Sequence, residues 1–205
     1  MDEQPKTEGC ALCTAVDDGL GTVEPEYIYN TPLYESESFV ILPCIGPLVM
    51  GHVMVVSKTH KPNIGKMSTD SIKEYEKLRK HICNSLDIYK SNLLESEHGA
   101  NKHNSSGACI VHTHIHWIPK WGRDIDILGD SNVMCEVKRL LRLKEIDDPY
   151  IFVRGRSDIV RVYFADNAPS QAIRRSIAHK RGSQDWDWAV FPKYDLIRET
   201  VNYWV

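Results

Sequence analysis

The sequence predicts an α+β fold: an antiparallel sheet, one long helix packed on it, and a C-terminal α/β extension. Three observations lead there. Val111-His112-Thr113-His114-Ile115-His116-Trp117-Ile118-Pro119 places histidine at every second position among β-branched and aromatic residues, the period of a strand. Phe39-Val40-Ile41-Leu42 and His52-Val53-Met54-Val55-Val56, joined by a stretch bounded by turn formers, read as an antiparallel pair. Ile72, Tyr75, Leu78, Ile82, Leu86, Tyr89 and Leu93 recur at three- and four-residue intervals, one apolar stripe of a helix between Thr69 and Leu94.

In chain order, residues 1–26 are polar and broken by Gly19, Gly21 and Pro25; their one feature is Cys10-Ala11-Leu12-Cys13. That spacing lets both sulfurs reach one ion, and it is equally open to a redox dithiol. Residues 27–120 form the core, and His60 and Pro62 lie just past its second strand, where side chains become available to a site. Asp70 or Thr69 is expected to cap the long helix. Glu95-Ser96-Glu97-His98-Gly99 reads as a short strand and turn, and residues 101–107 as a loop feeding the histidine strand.

Residues 121–205 form the extension. Asn132 to Leu143 is expected to be a helix with Val133, Val137, Leu140 and Leu141 on one side. Residues 150–153 and 160–164 read as a hairpin, 169–178 as a helix with proline near its first turn, and 194–204 as a final helix.

With 205 residues, 42% of them hydrophobic, the chain can bury a sizeable core. Its 25 Lys and Arg against 28 Asp and Glu leave a formal charge of −3, which argues against a nucleic-acid partner but not against a nucleotide-sized ligand. No apolar run is long enough to span a membrane and Met1-Asp2-Glu3-Gln4-Pro5 is no signal sequence, so a cytoplasmic protein with no membrane partner is expected. Its six cysteines then read as a thiolate pair plus reduced thiols.

At period 2 the histidines share a face, about 6.6–7 Å from one to the next. An imidazole titrates near neutral pH, so one can attack phosphorus and hold it as an N–P adduct while a neighbour protonates the departing atom. A wet strand face or a plain metal-binding row is the bland alternative. His98, after Glu97, can orient a neighbouring group or simply begin a loop. Trp117, Trp121, Trp186 and Trp188 can stack on a base, although such aromatics are more often core.

His112-x-His114-x-His116, with the hairpin Pro47-Leu48-Val49-Met50-Gly51-His52-Val53-Met54-Val55-Val56-Ser57-Lys58-Thr59-His60, resembles the histidine triad family of nucleotide hydrolases and transferases; the likeness covers roughly residues 10–120. The resemblance implies that His114 is the nucleophile forming a nucleotidyl–histidine intermediate and that His116 assists the leaving group. In members with an N-terminal CxxC it implies structural zinc, here on Cys10, Cys13, His60 and His112, a closed tetrahedral set. It implies a small phosphorylated ligand, a nucleotide in the first instance, and a homodimer.

Two positions depart from the family pattern. Cys44 stands where an Asp or Asn often takes the ribose hydroxyls, and Ala108 where a polar residue often meets phosphate. Replacement donors are expected from Asn101, Asn104, Ser105, Ser106, Gly107 and Cys109, and from Ser170, Gln171 and Arg174 if the extension folds back on the site. The expected activity is hydrolysis of a nucleotide phosphoanhydride or phosphoramidate. A nucleotidyltransferase or phosphorylase on the same fold, and an inactive zinc-stabilised binding protein, are the alternatives.

Overall fold

The computed structural model describes residues 9–17, 32–90, 92–100, 110–120, 128, 133–155, 158–166 and 168–205. Eight antiparallel strands form one sheet: β1 (Tyr34–Glu35), β2 (Phe39–Pro43), β3 (Val53–Ser57), β4 (Leu94–Gly99), β5 (His114–Ile118), β6 (Val133–Val137), β7 (Tyr150–Arg154) and β8 (Val160–Phe164). Their order is β1-β2-β3-β5-β4-β7-β8-β6. Among the described residues four α-helices accompany them: α1 (Ala11–Asp17), α2 (Thr69–Ser85), α3 (Ala172–Lys180) and α4 (Tyr194–Trp204). The α+β reading therefore holds, and no described helix is long and apolar enough to cross a membrane.

Alternation along the strands sorts side chains onto two faces. Phe39, Ile41, Val53, Val55, Ile115 and Trp117 face α2, whose Ile72, Tyr75, Leu78 and Ile82 complete that core. On the other face Val40, Leu42 and Val56 receive Leu12 and Ala15 of α1, while Leu94, Ile118, Ile151 and Val153 receive Ala172, Ile173 and Ile177 of α3. His114 and His116 lie on this second face, between the two helices.

The extension joins the core by strand pairing: β7 runs antiparallel beside β4, with Glu97 opposite Phe152. A buried ionic knot reinforces the seam. Arg154 of β7 reaches Glu95 of β4 through Nε at 2.9 Å and Nη2 at 2.6 Å, and Arg79 of α2 also donates to Glu95. Alongside it, the Glu97 carboxylate accepts the Ile64 amide and the Tyr150 hydroxyl, each at 3.1 Å. Burial pushes Glu97 up to about 8, against the lowering effect of those two donors.

Three sequence expectations need correction. The long helix ends at Ser85, because Leu86 is extended at φ −116°, and the rest of the apolar stripe comes from a 3-10 turn at Asp87–Tyr89 and from Leu93 before β4. Its cap is Ser68, whose side chain accepts the Ser71 amide, not Asp70 or Thr69. The helix expected over 132–143 is replaced by β6 and a 3-10 helix at Leu140–Glu145. Val133 and Val137 are β-branched, and pairing with β8 satisfies their backbone.

Candidate functional site

The loop before β5 and the end of β3 bring Cys10, Cys13, His60 and His112 together, with one ligand atom of each within 4.8 Å of all the others. The Sγ atoms of Cys10 and Cys13 each lie 3.5 Å from His112 Nδ1, and Cys13 Sγ lies 3.3 Å from His60 Nδ1. These separations are close to the edges of a tetrahedron around zinc with ordinary Zn–S and Zn–N bonds. The protonation of His112 fits as well. Its Nε2 lies 2.8 Å from the Ser57 carbonyl, which can only accept, so Nε2 carries the proton and Nδ1 turns its lone pair to the sulfurs. Burial lowers His112 to about 4, and burial together with Lys61 lowers His60, so both rings stay neutral, as ligands must be. The residues present thus fit a structural zinc ion.

His112 precedes β5, so its ring turns to the cysteines while His114 and His116 follow the strand pleat, ring centroids 5.5 Å apart. Backbone partners fix the tautomers here too. Nδ1 of His114 lies 2.6 Å from the His112 carbonyl and must donate to it, which leaves Nε2 as the lone-pair nitrogen. The Leu48 amide donates to His52 Nδ1 at 3.1 Å, so a neutral His52 holds its proton on Nε2, 3.0 Å from His116 Nδ1. His116 Nδ1 therefore accepts, and the proton of His116 sits on Nε2. Burial holds His114 below its ordinary value, and burial followed by the positive charges around them holds His52 and His116 well below theirs. One ring thus presents a bare nitrogen and its neighbour an N–H.

Cys44, His52 and His116 also have ligand atoms within 4.8 Å of one another. Hydrogen-bond accounting makes this a relay and not a metal site, because a metal on His52 Nε2 would need Nδ1 protonated against the Leu48 N–H. Arg174 adds positive charge there, its Nη1 3.5 Å from Cys44 Sγ.

Both rings line a cavity of about 240 Å³. Ala11, Leu12 and Ala15 of α1, Leu42 and Met54 of the sheet, and Gln171, Ile173, Arg174 and Trp188 of the extension line it together with His114 and His116. Among the described residues that line it there is no carboxylate.

Of the expected phosphate donors, Asn101, Asn104, Ser105, Ser106, Gly107 and Cys109 lie outside the described residues. Gln171 and Arg174 do reach the cavity, but their polar atoms are largely engaged. Gln171 Nε2 donates to Asp187 and its Oε1 accepts the Trp188 amide, while Arg174 donates to the carbonyls of Trp186 and Gly46. These two residues hold the 186–192 loop in place beside the cavity. Ser170 is not among the residues lining the cavity. His52 is the participant the sequence reading missed; its signal was the period-2 count back from Met54 and Val56, which pair with His116 and His114.

Residues 26–122 match the family model described as HIT domain. Over 119 residues the chain is 28% identical to a HIT-like protein of Borreliella burgdorferi, covering 56% of this chain and 78% of that one. It is 23% identical over 120 residues to the protein hit of Bacillus subtilis, covering 57% and 74%. Among solved structures, a HIT family hydrolase from Clostridium thermocellum aligns with a TM-score of 0.44 at 20% identity, over 60% of this chain and 100% of that one. A Zn-bound histidine triad family protein from Mycobacterium smegmatis aligns with a TM-score of 0.40 at 20% identity, over 57% and 78%. Both structural likenesses are too slight to bear on chemistry.

Proposed function

Because residues 26–122 match the family model described as HIT domain, we propose that the chain is a hydrolase of a nucleotide phosphoanhydride or phosphoramidate, acting through His114. The observation that carries this reading is the pair of backbone-set tautomers: a lone pair on His114 Nε2 beside an N–H on His116 Nε2. His114 Nε2 attacks the phosphorus, forming an N–P bond as the P–O or P–N bond to the leaving group breaks. The leaving atom departs as an anion from an anhydride, or as an amine that carries off the substrate's own phosphoryl proton, and in either case the His116 Nε2–H hydrogen-bonds to it. Water then attacks the phosphorus, the N–P bond breaks, His114 returns to the neutral ring, and the phosphate product leaves with one proton of the water while the other passes to solvent. His52 positions His116 throughout, because its Nε2–H keeps His116 Nδ1 as an acceptor. The negative charge of an entering phosphate stabilises positive charge on either ring, which opposes their burial at the moment protons move.

Cys10, Cys13, His60 and His112 would hold zinc as a closed set, which would contribute folding free energy and not an activated water. The test of the reaction is a panel of dinucleoside polyphosphates, adenylated amines and sugar nucleotides, assayed with wild type and His114→Ala. Release of a nucleoside monophosphate by wild type alone supports the reading. Product passed only to added phosphate or sugar phosphate would replace it with a transferase, and binding without turnover across the panel would remove it.

A further inference from the structure

We propose that the cavity holds a second anion subsite, built on Arg174, and that the substrate carries an anionic group besides the phosphoryl group that His114 attacks. The inference deepens the hydrolase reading and rests on it for the reacting phosphoryl group. It names the substrate class: a nucleotide with charge at two places.

The first ground is that Arg174 is a buried cation without a counter-ion among the described residues. It is 5% exposed, yet its partners are all neutral. Nε donates to the Trp186 carbonyl at 2.9 Å, Nη2 to the Gly46 carbonyl, and Nη1 to Cys44 Sγ at 3.5 Å. Cys44 does not supply the missing charge, because burial raises its thiol above the ordinary value and the S–H turns to the Ile45 carbonyl at 3.4 Å. Asp187 is lowered in part by Arg174, but it is partly exposed and its Oδ1 accepts from Gln171 Nε2 and the Ala189 amide at 3.1 and 3.0 Å. Arg154 shows the contrast: it is equally buried, and it is paired with Glu95 and Glu76. A charge held out of water among dipoles alone is costly, and an anion entering beside it relieves that cost.

The second ground is that this cation opens on the right space. Arg174 and Cys44 line the cavity together with His114 and His116, where no described carboxylate competes for the charge. Each Nη nitrogen has one N–H committed and another left, so the fork can still donate to an oxygen in the cavity. Arg181 and Lys193 add to the same positive field, which also lowers His52.

The third ground separates this subsite from the reacting phosphorus. Arg174 approaches the rings only through Cys44, whose Sγ lies 3.7 Å from His116 Nδ1, while the leaving atom is served by Nε2 of that ring. One sulfur stands between guanidinium and imidazole, so the two address different parts of a ligand. A phosphate on the body of the nucleotide and a phosphate in its leaving group offer Arg174 the same chemistry. A cationic amine as leaving group does not.

The experiment is calorimetric titration of the full zinc-loaded chain with AMP, α,β-methylene-ADP, adenosine 2′,5′-bisphosphate and adenosine 3′,5′-bisphosphate, on wild type, Arg174→Met and Arg174→Lys. The expected result is that wild type binds a doubly phosphorylated probe about tenfold to a hundredfold more tightly than AMP, the worth of a charged hydrogen bond. A preference for α,β-methylene-ADP places the second anion in the leaving group, and a preference for a bisphosphate places it on the body. In Arg174→Met the ratio to AMP falls to near one, and Arg174→Lys keeps part of it. The ratio is the readout because Arg174 also steadies the 186–192 loop, and loss of that support alone would weaken every probe alike. Should Arg174→Met fail to fold, Arg174→Gln, which keeps an N–H donor for the carbonyls, must show the same fall. Failure of every doubly phosphorylated probe to outbind AMP, a ratio that survives removal of the charge, or a ratio near one in Arg174→Lys would each overturn the proposal. Turnover of the nucleotide panel without this preference would sink the subsite and leave the hydrolase reading, and an Arg174-dependent preference without turnover would do the reverse.

Discussion

Arg154 and Glu95 form a two-pronged ion pair across the β4–β7 seam, with side chains 4% and 0% exposed. Arg154 also reaches Glu76 of α2 at 2.8 Å, so one guanidinium ties the extension to both the sheet and the helix. Arg154→Ala would leave the buried Glu95 carboxylate with only Arg79 and the Tyr75 hydroxyl as donors among the described residues, and a loss of about 3–5 kcal/mol is expected from breaking such a pair. Arg154→Lys keeps the charge but not the fork and should fall between the two. Urea midpoints at neutral pH check both, and an Arg154→Ala midpoint equal to wild type would show the seam to be held by the ladder alone.

Glu97 gives stability a pH dependence of definite sign. Its folded value is raised to about 8, so the folded state prefers the neutral carboxyl. The contribution is therefore complete below the unfolded carboxyl's ordinary value near 4.5, and it is lost as pH rises from there through about 8. Glu97→Gln keeps an acceptor for the Ile64 amide and removes the titration. The difference in stability between variant and wild type should move in favour of the variant from pH 5 to pH 8 and then level off. A difference that stays flat across that range contradicts the assignment.

The relay through His52 predicts a dependence on leaving group. If the His116 Nε2–H supports the charge on the departing atom, His116→Ala should slow cleavage of an amine or alkoxide leaving group by roughly a hundred- to a thousandfold. It should barely affect a nitrophenolate, which departs without a proton. His52→Phe, which keeps a ring but offers His116 no N–H, should show the same selectivity in weaker form. Equal losses with both leaving groups would mean that these residues only support the fold.

Gly46 is where the extension closes on the core. At φ +60° it adopts a backbone that favours glycine, and a Cβ there would come within 2.7 Å of Trp188 Cα and 2.9 Å of the Phe191 carbonyl oxygen. Its own amide donates to the Pro192 carbonyl at 2.9 Å. Gly46→Ala should therefore push the 186–192 loop outward, raising KM more than it lowers kcat. Quenching of tryptophan fluorescence by acrylamide should increase in parallel. An unchanged KM would separate the loop from substrate binding.

The sheet and its histidines were legible because a period of two is a local signal, and β5 obeys it from His114 onward. The extension was harder. Val133, Val137, Leu140 and Leu141 have helical spacing, yet β8 claims the first two for a strand, and only a partner distant in sequence decides between the two periods. The same holds for the site. The four zinc donors followed from a family likeness and came together in space. The contact of Arg174 with Cys44 spans 130 positions, and no spacing rule announces it. His52 stood at the edge of a strand, where a polar residue reads as the end of a turn, and its role emerged only from which backbone groups its two nitrogens meet.

β4 is flanked on one side by β5 and on the other by β7 of the same chain. Every ladder position from Glu95 to Gly99 on the β7 side is therefore taken from within. That edge of β4 is therefore closed to a second copy's strand, and among the described strands the margins of the sheet lie at β1 and β6. The neighbour that caps this edge comes from the chain's own extension.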